Sequence, residues 1–342
     1  MKQLGDLLAL TAIIFSVGRV WGGTMNSHIV EWGTQEGAEL AGVKYKTFST
    51  GQMALREISL SKVVGVAAGD NHVLFLDENG KAYASGFNNY NQTIVPSNAT
   101  NIVAIAAGKN HSLALKCDGS VVAWGNNQEG EINVPSGLSH VSSIAAGWDG
   151  SMALKSDGTI LAWGNSNKPE GISNVVAIAA TSAFYGSNLA LKKDGTVFEW
   201  CARPGSVEMV TVAGLSNVVA ISAGANHSLA LLKNGTVFGW GANNQGQATG
   251  NATDVEPYLA TGFVKNNGIT ISNIVSIVAG DEFSLALKRD GTVIGWGNKR
   301  LTDNGVIPSL SKVAAISCGH NFCLALITNE LATTNLLLAP AK

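Results

Sequence analysis

Residues 104–127 read AIAAGKNHSLALKCDGSVVAWGNN, and most of the chain repeats this phrase. Its parts are a short apolar run ending in Ala-Gly, an alternating HSLALK segment, an Asp-Gly pair and a closing strand-like VVAWG. Aligned on the glycine that ends the first run, the copies fall at Gly69, Gly108, Gly147, Thr181 (in IAAT), Gly224, Gly280 and Gly319. The steps 69→108, 108→147 and 280→319 each span 39 residues, so the unit has that length and occurs seven times. A fixed period of this size is the signature of a repeat architecture.

Each part of the unit predicts β-structure. The VVAIAAG-type runs are short, apolar and rich in β-branched residues, as a strand buried on both faces requires. HSLALK (111–116) and TVFGW (236–240) alternate as pleated strands do. Between them stand Asp118-Gly119, Asp157-Gly158, Asp194-Gly195, Asn234-Gly235 and Asp290-Gly291, with Asn79-Gly80 in the first copy. Such pairs accept the positive φ of a tight hairpin. Polar, glycine-bearing stretches such as NNQEGEINVP (126–135) then lead to a short outer strand. The unit is therefore about four antiparallel strands without a helix, and units of this kind pack radially as blades of a β-propeller.

This repeat resembles that of the regulator of chromosome condensation family, a seven-bladed propeller, and the resemblance runs over roughly residues 28–330. The short unit is more similar to the bacterial branch, which includes the propeller-type β-lactamase inhibitor protein, than to the eukaryotic exchange factor. Ser85-Gly86, Trp200-Cys201 and Ala180-Thr181 depart from the pattern, which predicts weaker individual blades. The last copy drifts from 330 into LATTNLLLAPAK without its tryptophan-glycine strand, whereas HIVEWG (28–33) is such a strand with no repeat before it. A ring joins its ends by pairing them. Residues 28–33 are therefore expected to pair antiparallel with the sheet built from 313–328, Trp32 taking the place of Trp124.

The domain reading is a secretory signal at 1–22, the propeller at 23–330 and a tail at 331–342. MKQLGDLLALTAIIFSVGRVWG has Lys2 and an apolar run from Leu7 to Val17, too short for a membrane helix and suited to a signal core, although Asp6 and the missing A-x-A site depart from that pattern. The expected location is outside the cell or in its envelope, with the cytoplasm as alternative. At 342 residues, net charge −2 and 13% charged residues, the chain has neither a basic nucleic-acid footprint nor an acidic tail. Four cysteines do not make a disulfide scaffold at this size. Cys318 and Cys323 form C-x₄-C, which suggests a metal half-site or a disulfide, but they stand where other copies have Ala107 and Ser112 and read as small buried side chains.

Most chemistry-bearing residues have a plainer role. His72, His111 and His227 share one repeat slot, filled elsewhere by Gly150, Phe283 and Phe322; on separate blades they do not converge as zinc ligands must. Asp118, Asp157, Asp194 and Asp290 are turn residues. No phosphate loop, nucleophile elbow or zinc-helix motif is present, so no catalytic residue, metal or cofactor is assigned.

Departures from the repeat carry the functional expectation. They are the extra residues within 34–62, the insertion in 242–273 with Tyr258 and Phe263, and SAFYG (182–186) with Phe184 and Tyr185. The residues after each Ala-Gly also vary from copy to copy: Asp70, Lys109, Trp148 and Asp149, Ala225, Asp281, and His320. They form a ring of loop side chains on one face. The resemblance to the inhibitor protein implies aromatic contacts to a target there, and Trp148, Phe184 and Tyr185 fit that character. The expected function is a non-enzymatic, monomeric scaffold binding a protein partner, without nucleic acid or a membrane span after leader removal. The expected contacts are Trp148, Asp149, Phe184, Tyr185, Lys109, Asp70, Asp281 and His320. The alternatives are a guanine-nucleotide exchange factor for a small GTPase, by family analogy, and a carbohydrate-binding propeller.

Overall fold

The structure, a computed structural model, describes residues 27–33, 56–58, 62–166, 171–183, 186–201, 209–253, 259–302, 307 and 310–328. The leader, the tail, most of the first insertion and the residues Phe184, Tyr185 and Tyr258 lie outside the described residues.

Each repeat folds into its own antiparallel sheet. The first is Val63–Ala68, His72–Asp77 and Ala82–Gly86; the second Ile102–Ala107, His111–Lys116 and Val121–Gly125; the third Val141–Ala146, Gly150–Lys155 and Ile160–Gly164. The fourth is Val175–Ala179, Ser187–Lys192, Val197–Cys201 and Met209–Thr211; the fifth Val218–Ala223, His227–Leu232, Val237–Gly241 and Ala260–Phe263; the sixth Ile274–Ala279, Phe283–Lys288 and Val293–Gly297. Each sheet packs against the next in chain order. The helix Lys299–Thr302 is a single turn. The expected outer strand forms in the fourth and fifth sheets, but the first, second, third and sixth have three strands among the described residues. In the first two of these the segment after the third strand closes in turns instead.

The seventh sheet runs Arg56–Ile58, Ser27–Gly33, Phe322–Thr328, Val313–Cys318. Ser27–Gly33 pairs antiparallel with Phe322–Thr328 along its whole length, Trp32 standing opposite Cys323 as Trp124 stands opposite Ser112. The isolated HIVEWG thus supplies the strand that the last repeat lacks. Both strands Val313–Cys318 and Phe322–Thr328 pack against Val63–Ala68 of the first sheet, and the Ala68 N–H donates to Ser317 Oγ at 3.0 Å.

Two backbone devices recur. In the hairpins only the glycine takes positive φ (Gly119 80°, Gly158 81°, Gly291 80°), while the aspartate caps the turn with its side chain. Asp118 Oδ1 accepts the Ser120 N–H and Asp157 Oδ1 the Thr159 N–H, both at 2.9 Å. This is the three-residue hairpin with a left-handed glycine rather than a two-residue turn with two positive φ values. The second device lies just before every inner strand, where Lys62, Asn101, His140, Asn174, Asn217, Asn273 and Lys312 hold φ between 55° and 67°. The carbonyl of each accepts an N–H from its own sheet's hairpin end, as in Cys117 N–H to Asn101 at 2.9 Å and Thr328 N–H to Lys312 at 3.1 Å. Asparagine predominates there because its short amide tolerates the left-handed region.

Candidate interaction face

The turns joining the first two strands of each sheet gather on one face. In each the glycine N–H bonds back across the hairpin, as from Gly108 to His111 C=O at 2.9 Å. The next N–H reaches the neighbouring sheet: Lys109 to Gly147 C=O at 3.1 Å, Trp148 to Thr181 C=O at 3.0 Å, Ala225 to Gly280 C=O at 3.1 Å. A Cβ on Gly69, Gly108 or Gly224 would strike the carbonyl of the next sheet's glycine, and one on Gly319 would strike Gly69. These glycines are required by close approach, not by φ. Thr181 departs from the pattern without breaking it: its Oγ1–H donates to Gly224 C=O at 2.9 Å, restoring a bond between the fourth and fifth sheets.

Onto this scaffold the varying side chains converge. Lys109 Nζ lies 3.8 Å from the centre of the Trp148 ring. Asp281 Oδ2 is 3.3 Å from His320 Nδ1. Asp70 is buried, and desolvation pushes its carboxyl up to about 6 against the pull of His320 and Lys109, with Asp281 and Asp149 adding to the rise. Burial raises Asp149 and Asp281 as well. The face therefore carries three partly desolvated carboxylates that interact across sheet boundaries, with a lysine stacked on a half-buried indole.

Beside Trp148, between the third and fourth sheets, is a small cleft lined by Trp148, Asp149, Gly150, Asn165, Thr181 and Asn188, among others. It lies where Gly150 replaces the histidine or phenylalanine of other repeats, and Ser166 occupies the space next to it. Of the expected contacts, the structure brings together Asp70, Lys109, Trp148, Asp149, Asp281 and His320; Phe184 and Tyr185 lie outside the described residues.

The histidines form a different network. His72 Nε2 is 2.9 Å from Ser112 Oγ on the next sheet, and Ser112 Oγ–H donates to Gln92 C=O at 3.0 Å. Trp124 Nε1–H donates to the same carbonyl at 2.9 Å. His111, Ser151, Trp163 and Glu131 C=O repeat this arrangement between the second and third sheets, and His227, Ser284, Trp296 and Gln247 C=O between the fifth and sixth. Because each serine spends its one proton on the carbonyl, histidine Nε2 must be the donor. The Nδ1 atoms of His72, His111 and His227 are then unprotonated, buried and without a partner. Desolvation accordingly depresses these imidazoles to about 3, 4 and 3. Though spaced like nucleophile–base pairs, the His–Ser contacts are sealed from solvent and clamp sheet to sheet. Where the slot is Phe283 or Phe322, the facing serine is replaced by Cys323 or Val73, and each pair shares an apolar cluster. Among the described residues no group of three or more His, Cys, Asp or Glu side chains is placed to hold a metal. None of the described helices is long and apolar enough to cross a membrane.

Comparison with known proteins agrees with this architecture. Residues 63–92, 102–131, 141–168, 218–247 and 274–299 match the Regulator of chromosome condensation (RCC1) repeat. No curated protein matches the chain in sequence. Among solved structures, Prp20p from Saccharomyces cerevisiae, studied for its binding to Gsp1p and histones, aligns with a TM-score of 0.70 and 20% identity over 90% of this chain and 92% of its own. Yeast RCC1 (Prp20) bound to Kap60 gives 0.71 and 20% identity over 95% of each chain. Human WBSCR16 gives 0.65 and 15% identity over 88% of this chain and 98% of its own. At these identities the likeness establishes a shared propeller fold.

Proposed function

We propose, from the premise that this chain is built of RCC1-type repeats, that it is a non-enzymatic, monomeric scaffold gripping a protein partner with the face that bears Asp70, Lys109, Trp148, Asp149, Asp281 and His320. One observation carries the reading. Fold-making residues recur from sheet to sheet, whereas these side chains differ at each step and yet meet one another across the sheet boundaries. A rigid scaffold that displays non-repeating side chains on adjoining turns is suited to recognition. The indole of Trp148 offers an aromatic anchor of the kind that dominates protein interfaces. The similar Prp20 structures involve protein partners of that protein, which supports a protein rather than a small molecule here.

Closure of the seven sheets into one ring belongs to this proposal and is supported by the seventh sheet's packing on the first. Placement outside the cytoplasm, argued from residues 1–22, belongs to it too. The test is quantitative binding by purified wild type and a Lys109→Ala/Trp148→Ala/Asp281→Ala variant to whatever protein the wild type captures. Loss of binding by a folded variant supports the face, and equal binding refutes it. Nucleotide release from a small GTPase, accelerated by the wild type, would instead favour the exchange-factor alternative.

A further inference from the structure

We propose that Cys318 and Cys323 are a modification site: a thiol pair that closes into a cross-strand disulfide when the protein meets a low-molecular-weight disulfide such as oxidised glutathione. The backbone register carries the inference. Cys318 and Cys323 are directly opposed in the antiparallel pair of the seventh sheet. One step nearer the turn, the Gly319 N–H donates to Phe322 C=O at 2.9 Å, which makes 319/322 the hydrogen-bonded pair and 318/323 the non-hydrogen-bonded one. Opposed residues of that kind stand about 4.5 Å apart at Cα with side chains on the same face, inside the roughly 4.4–6.8 Å span of disulfides. Both thiols are free and buried in the same apolar cluster. Other sheets place Ala107 opposite Ser112, Ala146 opposite Ser151 and Ala279 opposite Ser284, so the paired cysteines are a departure from the repeat. The remaining cysteines belong elsewhere: Cys117 lies exposed at a hairpin and Cys201 opposes Ser187.

The chemistry balances with the oxidant named. One cysteine thiolate attacks the glutathione disulfide, forming a mixed disulfide and releasing one glutathione thiolate. The second cysteine thiolate attacks the protein sulfur of that mixed disulfide and releases the other. Two thiol protons pass to the two glutathiones, and two electrons pass from the protein to the oxidant. Desolvation and the neighbouring Cys318 hold the Cys323 thiol well above its ordinary range, so attack waits on opening of the hairpin end. The bond fastens the strand Phe322–Thr328 beside the position where Cys323 opposes Trp32, and so braces the strand that holds Ser27–Gly33.

The test uses the full chain carrying Cys117→Ser and Cys201→Ser, equilibrated in oxidising and reducing glutathione buffers. The expected result is loss of both titratable thiols, a mass lower by two hydrogens without a glutathione adduct, and reversal by dithiothreitol. Oxidation is expected to accelerate in mild denaturant, and closing so short a loop should lower the unfolding constant roughly tenfold or more. Adding Cys318→Ala or Cys323→Ser, each the residue other sheets use, is expected to abolish the oxidative stabilisation. Persistence of both thiols in oxidising buffer, including after a cycle of unfolding and refolding, would overturn the proposal. So would a product consisting of glutathione adducts alone.

Discussion

Acid should loosen this protein through three buried histidines. His72, His111 and His227 are depressed from 6.5 to about 3, 4 and 3 by desolvation, reinforced at His72 by neighbouring His111 and opposed at His227 by the Asp281 backbone. The unfolded chain takes up protons at about 6.5 while the folded state does not, so this stability is whole above pH 6.5 and drains away as pH falls toward the folded values. At pH 5 each histidine should lower stability by about 2 kcal/mol relative to pH 8, or about 6 kcal/mol for the three. Any folded value below about 4 gives nearly the same figure, because the loss at pH 5 is set by the unfolded state. Asp70 acts the other way: raised to about 6, it favours the folded state as pH falls and returns about 1 kcal/mol at pH 5. Since domains are commonly stable by about 5–15 kcal/mol, the net loss is a large share of the whole. The assay is urea unfolding followed by tryptophan fluorescence at pH 8, 6.5 and 5, for wild type and for His227→Phe, which installs the residue found at Phe283 and Phe322. The variant should lose about 2 kcal/mol less than wild type between pH 8 and 5. Parallel pH dependences for the two proteins would refute the buried neutral imidazole.

Removing the serine hydroxyl of a clamp, as in Ser151→Ala, strands the His111 Nε2–H and should destabilise by about 1–3 kcal/mol in the same assay, with no effect of that size from Ser182→Ala. Gly224→Ala drives a methyl into the Gly280 carbonyl and His227, so circular dichroism melting should show a lowered midpoint or an unfolded chain. His140 holds a left-handed φ of 56°, and His140→Gly should raise stability by about 0.5–1 kcal/mol on denaturant titration. Trp148→Ala removes the indole under Lys109 and should alter stability by less than about 1 kcal/mol while weakening partner binding at least tenfold, measured by calorimetry.

Much of this fold is legible because each repeat is written in local signals. The Asp-Gly pairs, the apolar inner strands and the tryptophan strands are short-range features, and HIVEWG announces its place by lacking the context its copies possess. The clamps are not local. His72 meets Ser112 and His111 meets Ser151, each 40 residues on, and only the period links them. A signal was present nonetheless: polar slots face polar ones, while Phe283 and Phe322 face Cys323 and Val73. The left-handed residue before each inner strand is hidden in the sequence as well, because Lys62, His140 and Lys312 interrupt its asparagine pattern. On the interaction face the sequence gives the ring of varying residues, but stacking of Lys109 on Trp148 and pairing of Asp281 with His320 depend on how far adjacent turns lean together.

The most direct test compares the two ends of the sheets. The turns after the inner strands and the Asp-Gly hairpins lie at opposite ends of the second strand, so variants at one end leave the other intact. Wild type, Lys109→Ala/Trp148→Ala/Asp281→Ala, and Asp118→Asn/Asp157→Asn/Asp290→Asn would be immobilised side by side, and the proteins retained by each quantified by mass spectrometry, then checked with the purified partner. The expected result is a partner kept by wild type and the hairpin variant and lost by the face variant. Retention by the folded face variant, or loss from the hairpin variant alone, would contradict it.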